Sequence, residues 1–354
     1  MSFADLKVIE LATVLAGPSV GMFFAELGAS VLKIENPKTN GDMTRHWKLP
    51  TENKTGAISA YYSSVNYKKE VEFIDFSKPE GYSKLLALIK DCDILLTNFK
   101  PGSAEKLLLD YPRVKRVNSN IIYAELTGFG SDDIRPAFDV VLQAETGFMG
   151  MTGEPGQPPV KMPVALIDVI AAHHLKEGIL TALIQRKKNS PQKVEVSLYD
   201  AALSSLVNQA SNYLMAGHVP QPMGSKHPNI APYGDQFLTK DKKWFVLAVG
   251  TDNQFKKLHE TLGITALNNN QQFDTNAKRV TQREALNAIL QKEIKLWERS
   301  KIQDVLLAAG VPCGAVKMLN EVFQEEKATH LVLEEDIDGV KTKRVKSKLF
   351  KISS

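Results

Sequence analysis

The chain has 354 residues, of which 43% are hydrophobic and 24% charged, enough apolar material for a large core and enough length for two domains. Its 44 basic and 40 acidic side chains leave a formal charge of only +4 with no face-long basic run, which argues against a nucleic-acid partner. Two cysteines far apart, Cys92 and Cys313, exclude a disulfide framework and a cysteine-ligated metal. No stretch approaches ~18 uninterrupted apolar residues, and MSFADLKVIEL lacks the basic start and apolar core of a signal peptide, so a cytoplasmic protein with no membrane partner and no metal is expected.

Leu6–Leu11 reads as a short strand, Gly17-Pro18 opens a helix that ends near Leu27-Gly28, and Ser30–Glu35 is a second strand. This βαβ unit requires a parallel sheet with a right-handed crossover. The pattern repeats with a strand over Val71–Asp75, a helix over Pro79–Lys90, a strand over Asp93–Thr97, a helix over Ser103–Leu109 and a strand over Ile121–Leu126. The expected fold class is therefore α/β, a doubly wound parallel sheet. The dinucleotide fingerprint is missing, because the first turn, Ala12-Thr13-Val14-Leu15-Ala16-Gly17-Pro18, carries one glycine where three are needed. The P-loop pattern is absent too.

From Phe138 the chain is helical, and the Gly/Pro-rich stretch Thr152–Pro159 then leads to a long apolar segment from Val169 to Ile184. Lys193–Leu198 is a strand and Asp200–Met215 a helix, with Asp200 expected as its N-cap. Gly217–Gly234, with four prolines, is the clearest linker or mobile loop. Beyond it, paired strands at Gln236–Thr239 and Trp244–Val249 precede helices at Asn253–Leu262, Gln282–Lys295 and Ser300–Ala309. The expected division is a large α/β domain over 1–216, a smaller α+β domain over 217–310, and a segment over 311–354 that returns to the large domain and ends in a hairpin turning at Asp338-Gly339. The basic residues Lys341, Lys343, Arg344, Lys346 and Lys348 fit a solvated strand edge.

Asp168 is the outlier of this pattern. It follows the apolar run Val164–Ile167 and precedes the long apolar helix, where an ionised carboxylate is costly unless something compensates or uses it. It reads either as the N-cap of that helix or as a nucleophile or base held at its mouth; local spacing alone favours the cap, and the two roles are not exclusive.

Several separated stretches resemble the class III CoA-transferase family (CaiB/BaiF type), which includes formyl-CoA and carnitine CoA-transferases and 2-methylacyl-CoA racemases. They are LKVIELATVLAGP, ELGASVLKIENP with GDMTRHW, Asn98-Phe99-Lys100-Pro101-Gly102, Leu126-Thr127-Gly128-Phe129-Gly130, FDVVLQAETG, ALIDVIAAHHLKEGILTALIQR with KVEVSLYDAAL, HPNIAPYGDQF, and AAGVPCGAV followed by LNEVF. They run in order over almost the whole chain.

The resemblance implies that Asp168 is the catalytic residue, carrying CoA as an aspartyl thioester between an acyl-CoA donor and a carboxylic acid acceptor. Backbone N–H groups at Ala16 and Gly17 would then stabilise the oxyanion. It implies CoA contacts at Asn98 and Phe99 near the adenine and at Arg45 and Lys68 near the phosphates, with a substrate loop carrying Gly224, Ser225 and His227. CoA would be a substrate, with no tightly bound cofactor, and the assembly would be an interlocked homodimer.

Three departures narrow the reading. Leu15 stands where formyl-CoA transferases carry glutamine, which disfavours formyl and oxalyl substrates; Asn36 replaces an arginine often found after the second strand; and Phe138 stands where racemases place a histidine base. Acyl transfer is thus favoured. An acyl-CoA racemase or epimerase and a non-catalytic CoA-binding protein are the alternatives. His173 and His174, being adjacent on a helix, point about 100° apart, so one at most can face a site.

Overall fold

The structure is a computed structural model and describes residues 3–353. The chain forms two units. The first comprises residues up to Met149, Lys161–Pro220 and the segment from His330 onward; the second comprises Gly150–Val160 and Gln221–Thr329.

The first unit begins with β1 (Lys7–Glu10), α1 (Ala16–Glu26), β2 (Ser30–Glu35), α2 (Ala60–Ser63), β3 (Glu70–Phe73) and α3 (Pro79–Lys90). It continues with β4 (Ile94–Thr97), α4 (Ser103–Lys106), α5 (Tyr111–Val117), β5 (Ile122–Thr127) and α6 (Asp139–Glu145). Then come α7 (Leu166–Gln185), β6 (Gln192–Ser197), α8 (Leu198–Ser204) and α9 (Val207–Ala216). The six strands pair in the order β3-β2-β1-β4-β5-β6, every pair parallel. That is the doubly wound arrangement, and the chain reverses its direction of travel between β1 and β4. One core packs α1 and α7 on a sheet face through Val20, Phe24, Ile94, Ala124, Ala171, Leu175 and Ile179. A second core on α3 and α5 packs Leu85, Ile89, Leu95, Val114 and Tyr123.

The second unit holds β7 (Tyr233–Leu238), β8 (Trp244–Ala248), α10 (Asp252–Thr261), α11 (Asn276–Thr281), α12 (Arg283–Ile294), α13 (Arg299–Ala308), β9 (Cys313–Ala315), α14 (Leu319–Val322) and α15 (Glu326–Thr329). β7, β8 and β9 form an antiparallel sheet over a core that includes Phe245, Leu258, Leu286 and Leu306. The chain returns to the first unit with β10 (Val332–Ile337) and β11 (Val340–Val345). Asp338 and Gly339 both take positive φ (53° and 78°) at the tip, as a tight two-residue hairpin turn requires.

Several expectations need correction. The return to the large unit falls at 330 and not at 311, because β9 hydrogen-bonds to β8 and belongs to the small sheet. Residues 150–160 also belong to the small unit, where Gly224 N–H donates to Gly153 O at 2.7 Å. The helix expected over Asp200–Met215 is two helices, and its cap is Ser197, whose hydroxyl accepts from Asp200 N–H at 2.9 Å. At the C-terminal edge Lys341 and Lys343 are solvated, but Arg344 is buried against Glu335 (3.0 Å) with its guanidinium over the Tyr67 ring. No described helix is long and apolar enough to cross a membrane.

Candidate active site

The twenty residues of α7 are apolar nearly all round, so this helix is packed on most of its surface. Its N-cap position is Ala165, which has no side-chain acceptor for the free N–H groups of the first turn. Those groups are met from elsewhere. Asp139, the first residue of α6, accepts Ile167 N–H at 2.7 Å and Asp168 N–H at 3.4 Å on one carboxylate oxygen. Its other oxygen takes the Gln143 amide at 2.5 Å, and Gln143 in turn accepts Met162 N–H at 2.8 Å. Asp139 therefore does the capping, and the capping reading of Asp168 is set aside.

That arrangement leaves the Asp168 carboxylate with no hydrogen-bond or ion-pair partner among the described residues, at 8% exposure. Burial pushes its pKa up to about 7, and the neighbouring Asp139 carboxylate adds to the rise. A buried acid without a counter-charge costs stability, which a purely structural residue has no reason to incur.

Tyr61, on α2, lies within the electrostatic field of the same carboxylates. Its phenol is pushed up to about 12 by partial burial and by the carboxylates of Asp168, Asp139 and Asp42 together. The ring is wedged edge-on against Trp47, 5.0 Å between centroids, and the hydroxyl has no protein partner among the described residues. A phenolic O–H near three carboxylates, with nothing to donate to, is a ready donor for a ligand oxygen.

The turn from β1 into α1 is the third component. Side chains hold its backbone group by group: Lys33 Nζ donates to Ala12 O (2.7 Å), Asn98 brackets Thr13 by accepting its N–H (3.0 Å) and donating to its C=O (2.8 Å), and Asp42 accepts Val14 N–H (3.1 Å). Lys69 Nζ reaches Pro18 O in the first turn of α1 at 2.8 Å. The conformation so held is a costly one, since Val14 is β-branched with φ 74°, worth about 1–3 kcal/mol of strain. The Ala16 and Gly17 N–H groups that follow have no acceptor among the described residues. Gly17 is required here, because a Cβ on it would overlap the Ala12 methyl.

Behind the turn lies a fully buried ionic cluster. Lys33 meets Glu10 at 2.9 Å and Asp42 at 3.2 Å, and Lys69 meets Glu10 at 2.8 Å. Burial alone would lower the Lys33 pKa, but Glu10 and Asp42 outweigh it and hold the ammonium above its usual range. Lys69, which shares Glu10 with Lys33, is brought down to about 8 by burial. Asp42 is kept below the usual carboxylate range: burial opposes ionisation, and Lys33 with the Thr44 N–H and hydroxyl overcomes it.

The residues expected to meet CoA are placed unevenly. Asn98 lies beside the turn with both amide groups occupied by Thr13. Phe99 is partly buried against the core beneath β4. Arg45 is buried, its guanidinium bonded to Glu35 (2.7 Å), Tyr62 Oη (2.7 Å) and Asp338 (3.3 Å). Lys68 is exposed and lines a hollow with Glu26, at the opposite end of α1 from Ala16, roughly 15 Å along the helix axis. Gly224, Ser225 and His227 lie in the second unit: Gly224 has φ 62°, Ser225 Oγ donates to Gly234 O (2.6 Å), and His227 Nδ1 accepts Asn229 N–H (3.1 Å). His173 is exposed, and His174 Nδ1 lies 3.4 Å from Glu177.

Sequence reading missed Tyr61, Asp42, Lys33 and the capping role of Asp139. Charged residues inside strands that must be covered on both faces, Glu10 and Lys33, were the available signal.

The profile of CoA-transferase family III matches residues 3–353. A succinate–glutarate CoA-transferase from Agrobacterium fabrum is 34% identical, covering 95% of this chain and 85% of its own length. The human succinyl-CoA:glutarate CoA-transferase is 32% identical, covering 93% and 75%. A solved structure of a CAIB/BAIF family protein from Brucella suis superposes with a TM-score of 0.87 at 35% identity, covering 99% of this chain and 92% of that one. With the profile spanning essentially the whole chain and relatives and fold in agreement, this protein belongs to CoA-transferase family III and is an enzyme of that class.

Proposed function

We propose that the enzyme moves CoA from an acyl-CoA donor to a carboxylic acid through a covalent thioester on Asp168. The observation that carries this reading is the buried Asp168 carboxylate with no partner, in a fold that supplies Asp139 to do the capping. A largely desolvated carboxylate is a stronger nucleophile than one in water, and with a pKa of about 7 roughly half of it is ionised at neutral pH.

In the first step an Asp168 oxygen attacks the thioester carbonyl carbon; the C–S bond breaks, giving a mixed anhydride and CoA thiolate. The thiolate attacks the aspartyl carbonyl carbon and the donor acid leaves as carboxylate, so Asp168 now carries CoA. The acceptor carboxylate attacks the aspartyl thioester, releasing thiolate. The thiolate then attacks the acceptor carbonyl and regenerates the Asp168 carboxylate. No proton is gained or lost over the cycle. Each attack places negative charge on a carbonyl oxygen, for which the free Ala16 and Gly17 N–H groups and the Tyr61 hydroxyl are the available donors.

The relatives named for succinate and glutarate suggest short dicarboxylic acids as the exchanged pair. Racemisation has less support: Phe138 supplies no base, and Asp139 is engaged in capping. Assembly as a homodimer is supported by α9, which buries none of its residues while exposing Val207, Tyr213, Leu214 and Met215.

The test is chemical trapping. Borohydride reduction or hydroxylamine treatment after incubation with succinyl-CoA is expected to mark residue 168, located by peptide mass. Mass marking elsewhere, or an Asp168→Ala variant transferring CoA at the wild-type rate, would overturn the mechanism.

A further inference from the structure

We infer that Asp42, backed by Lys33, is a positioning residue for the transfer reaction: it holds Val14 in its left-handed conformation and so aims the N–H groups that open α1. The inference rests on the reading of Asp168 as the carboxylate that carries CoA.

Among the described residues of the first unit, the turn is the one place where a β-branched residue at positive φ, two unused backbone donors and a fully buried ionic cluster coincide. Val14 would relax to negative φ if its surroundings allowed it, because its Cβ crowds the backbone there. The carboxylate of Asp42 prevents this by accepting Val14 N–H with both oxygens, at 3.1 and 3.4 Å. Asp42 is itself immobilised. It accepts Thr44 N–H and Oγ1–H (3.0 and 2.8 Å) and faces Lys33 Nζ at 3.2 Å, which is held in turn by Glu10 and Ala12 O. Removing the Val14 contact frees φ of that residue, two positions before Ala16, and the donor directions of Ala16 and Gly17 rotate with it. The helix that this turn opens packs on the helix that carries Asp168, with Ala16 in one core with Ile167 and Ala171, so the clamp acts on the element next to the reacting carboxylate. Donors aimed at a developing oxyanion act in the transition state and not in ground-state binding, so their misalignment shows in kcat.

Glycine adopts positive φ without crowding, and this provides the test. Asp42→Asn, Val14→Gly and the double variant complete a cycle with wild type, assayed for CoA transfer from succinyl-CoA. Asp42→Asn is expected to lower kcat by about 100-fold with KM for acyl-CoA changed less than threefold. In the Val14→Gly background the same substitution is expected to cost less than tenfold, because the conformation no longer needs holding. Should Asp42→Asn not fold, Asp42→Glu keeps the charge beside Lys33 while displacing the contact to Val14, and reads the same coupling. Equal losses in both backgrounds, or a change confined to KM, would overturn the positioning role. Trapping on wild type separates this from the underlying mechanism: a label at Asp168 with additive losses refutes the clamp alone, whereas absence of label refutes the thioester reading.

Discussion

Replacing Asp168 by asparagine removes the proposed nucleophile, and it is expected to stabilise the protein in a pH-dependent way. The folded carboxyl titrates near 7 against an ordinary 3.8, because it is buried and sits beside Asp139. Between these values the folded chain keeps a proton that the unfolded chain has released, so stability falls as pH rises and stays reduced above pH 7. About three pKa units correspond to roughly 4 kcal/mol. Asparagine, of the same shape and always neutral, escapes that cost. The stability gap between Asp168→Asn and wild type is therefore expected to be about 1–2 kcal/mol at pH 5 and about 4 kcal/mol at pH 8. Each kcal/mol moves Tm by about 2–4 °C for a unit of this size, so a shift of roughly 10 °C at pH 8 is measurable. Urea titrations and melting curves at the two pH values, with CoA transfer measured in parallel, provide the assay. A gap that does not grow between pH 5 and pH 8, or a variant less stable than wild type at pH 8, would refute the placement of an uncompensated carboxylate at this helix mouth.

Other expectations follow from the same geometry. In wild type, kcat/KM for the acyl-CoA donor is expected to fall below a pKa near 7 as Asp168 is protonated, and Asp139→Asn, which removes a neighbouring negative charge, is expected to move that limb to lower pH while costing about 1 kcal/mol of capping stability. A limb that stays in place would detach Asp139 from the titration. Tyr61→Phe is expected to lower kcat by about 10- to 100-fold with the melting temperature unchanged, since the hydroxyl has no hydrogen-bond partner among the described residues; equal activity would remove it from the site. Finally, the proposed dimer through α9 predicts that wild type sediments as a dimer and that Leu214→Glu with Met215→Lys, at positions 78% and 88% exposed, sediments as a monomer; a monomeric wild type would refute the dimer, and an unchanged dimer would refute the α9 contact.

The alternation of strands and helices was legible because both periodicities are strong in the first half: the helix expected over Pro79–Lys90 is α3 to the residue. What was not legible depended on contacts between distant segments. The three-residue β9 has no strand signature of its own and exists because β8 offers it an edge. The division of the chain near 150–160 follows from one loop pairing with another some seventy residues later. At the site, local spacing favoured Asp168 as a cap, and only the position of Asp139 on a separate helix releases it from that duty. Arg45 illustrates the reverse case. As a basic residue after the second strand it suggests phosphate, yet Glu35 and Tyr62 enclose its guanidinium.

The sheet order also explains why a nucleotide fold lacks the nucleotide fingerprint. In a doubly wound sheet the crevice between the strands where the order reverses, here β1 and β4, is where a dinucleotide pyrophosphate settles on a glycine-rich turn. In this chain Asn98, just past β4, spans that crevice and binds both backbone groups of Thr13, while Lys33 and Asp42 take up Ala12 O and Val14 N–H. The backbone groups that a phosphate would meet are thus already paired with side chains. One step further along, the Ala16 and Gly17 N–H groups have no acceptor among the described residues, and Gly17 is the glycine that the close approach to Ala12 requires. The same architecture thus leaves its unused N–H groups at the first turn of α1 and not in the crevice, where the proposed mechanism would use them for a carbonyl oxygen.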